Sequence, residues 1–235
     1  SVDELLEKTQ EQAPTDQRYA VITFDDGYID NYEIAFPILQ KFALPAAFYI
    51  ATDYVDNPQV PWWDEIAWIV RNTQVKAVRL SHWDSAIDIA KGGISQRIRR
   101  LLSAIKSDNS ESMESKLVEL RRITCCSMSK EDAQTQLFAN WDNLREMSSA
   151  GMHIGSHTST HSILSHLSLT EQKKEVIHSK QRLEQELSKV ITTIAYPVGN
   201  ETTFNETTIK IVKDAGYKLA FSFISGINTS LTPKH

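Results

Sequence analysis

The stretch Tyr19-Ala-Val-Ile-Thr-Phe-Asp-Asp-Gly-Tyr28 decides how this chain is read. Residues 19–23 are mostly apolar and β-branched and predict a buried strand, most simply one covered on both faces. Asp25 and Asp26 stand where that strand ends, and Gly27 lets the backbone turn away at once. Two carboxylates side by side at a strand mouth repel each other unless a proton or a cation resolves the repulsion. If Asp26 takes a metal, Asp25 can stay ionised beside it as a base. Taken alone, Asp-Asp-Gly is explained at least as well by a simple turn, since Asp favours turns and Gly supplies positive φ.

Outward from this stretch, residues 29–42 read as a helix in which Pro37 marks a start or a kink. Residues 46–51, entered through Leu44-Pro45, read as a second strand. Strand, helix and strand within so few residues make a βαβ unit, hence parallel pairing. Residues 2–12 form a weak amphipathic helix closed by Ala13-Pro14. From about residue 52 to 140 the rhythm changes. Helices are expected over 64–71, 94–105 and 111–122, with a short strand over 75–80, as a helical insertion in a single domain spanning 1–235. The strand–helix order then resumes. A helix over 141–150 ends at Gly151, and a strand follows over 152–155. A capping box, Ser168-Leu-Thr-Glu171, opens a long helix to about 187. A strand over 190–196 stops at Pro197, Asn205 caps a helix to 214, and a last strand covers 219–223. This order predicts a parallel α/β sheet or barrel with its chemistry at the strand C-terminal ends.

Composition narrows the function. The 235 residues are 41% hydrophobic and 23% charged, as in a globular α/β domain. A net charge of −5 without a basic run gives no support for nucleic-acid binding. No apolar stretch is long enough for a transmembrane segment, and no signal-peptide pattern opens the chain. The chain as given is therefore expected in the cytoplasm, or in the cell envelope if a leader has been removed. The two cysteines, Cys125 and Cys126, are adjacent and read as ordinary helix residues, which excludes a disulfide scaffold.

His157-Thr-Ser-Thr-His161 follows the strand that ends at Gly155. Histidines at i and i+4 on a helical turn face one way and can share an ion. A lone pair of this kind is ordinary in a chain with seven histidines. Here it begins at a strand end, as the Asp pair does, and in a parallel fold those ends converge. One Asp and two His leave open positions for water and substrate, the pattern of a catalytic metal.

Thr23-Phe-Asp-Asp-Gly-Tyr28 with Ser156-His-Thr-Ser-Thr-His161 resembles the first two motifs of the polysaccharide deacetylase family, the nodulation-protein-B homology domain. Ala195-Tyr-Pro-Val-Gly199 stands where the third motif belongs. The resemblance implies a distorted (β/α) barrel and metal-dependent removal of N-acetyl groups from the amino sugars of a polysaccharide or oligosaccharide. It makes Asp25 the general base and Asp26, His157 and His161 the ligands of a divalent metal, zinc from the donor set, with cobalt, nickel or iron as alternatives. Water bound to the ion would be the nucleophile, and the N–H of Val198 a donor to the oxyanion. Tyr28, Tyr196 and Pro197 would wall the substrate cleft, and Thr158 would support the loop between the histidines.

Two departures stand out. The family often carries Arg two residues before the motif-three proline; here that position is Ala195, a variant associated with the exopolysaccharide branch. The late Leu-x-x-x-His segment that supplies the general acid has no match after Phe223; His235 is terminal, and His153 reads better as a core residue. Trp62, Trp63 and Trp141 read as packing rather than as sugar platforms. Two other readings stay open: an amidase acting on a non-sugar amide, and a carbohydrate-binding homologue without turnover.

Overall fold

The structure, a computed structural model, describes residues 1–11, 19–129 and 137–228, with backbone alone for 9–11. The Ala13-Pro14 helix stop and His235 lie outside the described residues. In chain order the elements are α1 (Val2–Glu11), β1 (Ile22–Phe24), a wide helical turn at Asn31–Ala35, α2 (Phe36–Lys41), β2 (Ala46–Ile50) and α3 (Thr52–Asp56). Then come α4 (Trp62–Asn72), β3 (Ala77–Val78), β4 (Ile87–Asp88), α5 (Ile94–Ser107) and α6 (Met113–Thr124). The last group is α7 (Trp141–Ser149), β5 (His153–Ser156), α8 (Leu169–Leu187), β6 (Thr193–Ala195), α9 (Glu206–Asp214) and β7 (Leu219–Phe221). They fall into two compact units, Ser1–Pro58 with Gln136–His235, and Gln59–Thr135.

In the first unit five parallel strands run in the order β1-β2-β5-β6-β7. Each strand adds beside its predecessor without reversal, so the sheet curls in one direction into a half-barrel of the (β/α) kind. β2, flanked by β1 and β5, is buried along its whole length. Ala46, Phe48 and Ile50 point into the larger core with Leu144, Val176, Leu183 and Val212 from the crossover helices. Ala47 and Tyr49 point the other way, against Val2 and Leu6 of α1. The N-terminal helix, which reads as weakly amphipathic, is thus the cover of the second face.

The first strand departs from expectation. β1 is an edge strand, and Ile22 and Thr23 are exposed; the strand covered on both faces is β2. The helix expected over 29–42 begins with a wide turn in which Phe36 N–H reaches Asn31 O, and Pro37 then opens α2. Proline has no N–H to continue the ordinary ladder, and the wider turn accommodates the break. Cys125 is not within a helix: it caps α6 in the left-handed region at φ 50°.

The second unit packs α4, α5 and α6 around Ile66, Ile69, Leu101, Ile105 and Leu120. An antiparallel pair, β3 with β4, lies beside them, and β4 carried no signal in the sequence pattern. Lys116, 2% exposed, is neutralised by Asp108 at 3.5 Å, whose carboxylate also accepts from Trp83 Nε1 at 3.0 Å.

Gly155 fixes how β5 meets β2. A Cβ there would lie 2.3 Å from Tyr49 Cε1 and 2.7 Å from Thr193 Oγ1. Tyr49 is fully buried and has nowhere to swing. Gly155→Ala is expected to cost about 1–3 kcal/mol in chemical denaturation. The same change in a Tyr49→Leu background is expected to cost clearly less. Equal costs in both backgrounds would show that the ring is not the obstacle.

Candidate metal centre and active site

Neighbouring parallel strands deliver the site. β1 ends at Phe24 and hands on to Asp25 and Asp26; β5 ends at Ser156 and hands on to His157. β2 lies between them and ties both together. Ala51 N–H donates to Asp26 O at 3.4 Å, and Ile50 O accepts from His157 N–H at 2.9 Å. β6 contributes Ala195 O, which accepts from the His157 ring at Nδ1, 2.8 Å away. A carbonyl only accepts, so Nδ1 carries the proton and Nε2 of the neutral ring is left as the ligand atom.

The expected helical turn at residues 157–161 is absent. The segment is a loop, with Thr158 at φ 65° and His161 at φ 56°. The two rings converge by this irregular backbone instead, 4.8 Å between centroids. Nε2 of His157 lies 3.4 Å and Nε2 of His161 3.2 Å from the same oxygen, Asp26 Oδ1. Asp26 itself sits at φ 73°. Ligand atoms about 2.0–2.1 Å from a tetrahedral zinc lie about 3.3 Å from one another. Among the described residues this is the group of side chains arranged to hold a metal, its three ligand atoms within 4.8 Å of each other. Two imidazoles and one carboxylate, held at that spacing, fit a divalent cation.

Electrostatics agree with the geometry. Burial works against protonating His157, yet its bond to Asp26 and the charges of Asp25 and Asp26 raise its pKa. The surroundings of Asp25 desolvate its carboxyl and raise its pKa, opposed by His157 and helped by Asp26. Its side chain nonetheless remains reachable by water. The pocket of negative potential therefore favours a positive charge, and Asp25 stands at its open side.

The half-buried ring of Tyr28 stacks on Phe138 at 4.9 Å, and Phe138 stacks in turn on Tyr54. Tyr196 is 4% exposed and stacks on Phe204, facing the core. Pro197 is buried and Val198 partly so, with Val198 at φ 62°. Gly199 follows at φ 67°, where a Cβ would lie 2.6 Å from Phe223 N. Thr158 is buried, its N–H on Ser156 Oγ and its carbonyl accepting from Thr52 N–H. His153 bonds Thr193 on the face opposite the crossover helices. Trp62 packs on the second unit's core, and Trp141 donates to Asp56 beneath the Arg182 guanidinium.

Sequence reasoning missed the supports. Asp53 N–H, in the first turn of α3, holds Ser159 O at 2.8 Å. Glu175 of α8 holds the amides of Ser159 and Thr160. Its signal was available: a carboxylate within the buried stripe Gln172, Val176, Ser179, Leu183 of an otherwise amphipathic helix.

The family model for polysaccharide deacetylase matches residues 12–96 and 121–220. YxkH of Bacillus subtilis, a polysaccharide deacetylase by assignment, is 23% identical over 211 residues, which is 90% of this chain and 46% of YxkH. The chain thus spans about half the length of that relative. The poly-β-1,6-N-acetyl-D-glucosamine N-deacetylase of Escherichia coli K12 is 38% identical over 69 residues, 28% of this chain and 10% of that protein. The fold is that of the Streptococcus pyogenes deacetylase PplD in complex with acetate, at TM-score 0.59 and 19% identity over 96% of this chain and 65% of that one. It is equally that of the BpsB deacetylase domain of Bordetella bronchiseptica, at TM-score 0.60 and 17% identity over 99% and 74%. By the extent of the family match, which takes in all three strand-end segments that build the site, the chain belongs to the polysaccharide deacetylase family.

Proposed function

We propose that this protein is a metal-dependent hydrolase that removes N-acetyl groups from the amino sugars of a polysaccharide. The observation that carries the reading is the convergence of Asp26, His157 and His161 on one point, with Asp25 beside them at the open mouth. Asp26, His157 and His161 would hold the ion, zinc by the donor set. Once bound, it would supply Lewis acidity to the amide carbonyl and acidify water. Asp25 takes the proton as water adds to the carbonyl carbon. The C–N bond breaks, acetate leaves, and the proton goes to the amine nitrogen. The Val198 N–H is the backbone donor assigned to the developing oxyanion. Tyr28 walls the sugar side. Ala195, in place of a motif-three Arg, and the relative from Escherichia coli both support an exopolysaccharide containing N-acetylglucosamine as substrate.

Acetate release from N-acetylglucosamine oligomers is expected to vanish on chelation and to return with Zn²⁺ or Co²⁺. Asp25→Asn should lower it about 100-fold or more while leaving metal content unchanged. Stoichiometric metal without acetate from any oligomer would overturn the deacetylase reading.

The pKa directions give a second test on protein stripped of metal. A raised His157 pKa contributes stability that is complete below about pH 6.5 and is lost as pH rises through the folded value. Asp25, also raised, acts in the same sense, because the folded chain keeps that proton longer. The chelated protein should therefore lose thermal stability as pH rises above about 6.5. Zn²⁺ should reverse the slope, since its ligands bind deprotonated. A midpoint that rises with pH in chelated protein would contradict the cluster.

A further inference from the structure

The histidine loop makes two kinds of hydrogen bond. Its carbonyls are held from one side by α3, Thr158 O by Thr52 N–H at 3.2 Å and Ser159 O by Asp53 N–H at 2.8 Å. The amides of Ser159 and Thr160 are held from the other side by a single side chain. Glu175 Oε2 accepts from Ser159 N–H at 3.0 Å and Thr160 N–H at 2.8 Å, and Oε1 accepts from Thr160 Oγ1 at 2.9 Å. Glu175 is 8% exposed, and none of these partners is a cation. Burying a carboxylate without a countercharge is unfavourable unless hydrogen bonds to the charged form replace its water. One turn further along α8, Ser179 Oγ meets Ser156 Oγ at 2.8 Å, and Ser156 Oγ accepts from Thr158 N–H. α8 therefore grips the segment at its start and at its middle, with the two histidines on either side of the Glu175 contact.

The backbone needs that grip. Thr158 and His161 both stand at positive φ, a region that side-chain-bearing residues occupy only when their surroundings hold them there. Each amide that Glu175 accepts lies between these two positions. Without the carboxylate, two partly or fully buried N–H groups lose their acceptor, and the loop can relax toward ordinary dihedrals. The His161 ring would then leave its place beside Asp26.

We propose that Glu175 is a positioning residue that sets the metal affinity of the His157–His161 pair from behind the loop, without touching the ion. The inference rests on the metal reading given above but not on the substrate. Mutating groups that orient ligands typically weakens metal binding 10–100-fold, and that is the loss expected for Glu175→Ala. Glu175→Gln should recover most of the affinity. Its amide oxygen can accept from both N–H groups while its NH₂ donates to the Thr160 hydroxyl.

The experiment is a Co²⁺ titration of the metal-stripped protein, followed by absorbance and by calorimetry, alongside thermal unfolding. Leu183→Ala, in the buried stripe of the same helix, is the control: it should lower the unfolding temperature and leave the Co²⁺ affinity and spectrum unchanged. The expected pattern is weak binding with an altered visible spectrum in Glu175→Ala, near-normal binding in Glu175→Gln, and normal binding in Leu183→Ala. Wild-type affinity in folded Glu175→Ala, or an equal loss in Leu183→Ala, would overturn the proposal. Should Glu175→Ala not fold, Thr160→Val, at an exposed position, carries the test. Several-fold weaker binding supports the proposal, and unchanged binding overturns it. A wild-type protein that binds no Co²⁺ would remove the metal reading and this one together. Tight metal without acetate release would remove only the deacetylase assignment.

Discussion

Two adjacent carboxylates at the end of one strand, facing two imidazoles at the end of another, form the constraint around which this half-barrel is arranged. Asp26 Oδ1 is shared by both Nε2 atoms, and Asp25 stands next to it in sequence and across from His157 in space. Four such groups packed together favour either extra protons or an added positive charge. The raised pKa of His157 is the protonic answer to that demand, and a divalent cation is the other. The two answers exclude one another at Nε2, so the same electrostatics that favour the protonated cluster at low pH would favour a cation at higher pH.

Holding that cluster requires backbone that ordinary elements do not provide. Asp26, Thr158, His161 and Val198 all lie at positive φ, and all belong to the three strand-end segments of the site. Regular strands stop just before each of them: β1 at Phe24, β5 at Ser156, β6 at Ala195. The sheet acts as the rigid part. β2, buried throughout, passes hydrogen bonds at its end to the segments that leave both neighbours, through Ala51 to Asp26 and through Ile50 to His157. Strain at the rim is thus supported by a strand whose own residues are unstrained and fully packed.

The sequence showed what depends on local pattern and concealed what depends on distance. The β2 run at residues 46–51, the Ser168-Glu171 capping box and the Asn205 cap were legible, because each is settled by residues next to one another. The meeting of Asp26, His157 and His161 was legible because two strand-end motifs in a parallel fold must meet. The helical turn between the histidines was misread, since i and i+4 spacing is shared by a helix and by a loop held at two positive φ values. β1 was taken as doubly covered, because an apolar run does not say whether it lies in the middle of a sheet or at its edge. Glu175 was overlooked for a different reason, although it stands within the buried stripe of α8. On a helix a charged residue reads as solvent-facing unless something distant accounts for its burial, and its partners lie fifteen and sixteen residues away.

That last case bears on how the site is kept both strained and accurate. The histidine loop cannot be held by the sheet alone, because the ladder ends at Ser156 and beyond His157 the amides of Ser159 and Thr160 find their acceptor on α8. A helix N-terminus can only supply donors, and α3 does so for the carbonyls of Thr158 and Ser159. The remaining need is for an acceptor at the amides of Ser159 and Thr160, in a largely buried place, where a neutral side chain would bind less strongly than a carboxylate. Charge is tolerated there because α8 carries it on a rigid nineteen-residue helix and delivers it to three hydrogen bonds at once. The acid that holds the loop and the acids beside the two imidazoles are then separated by the loop itself. One negative group shapes the histidine pair while the other two set the potential around it.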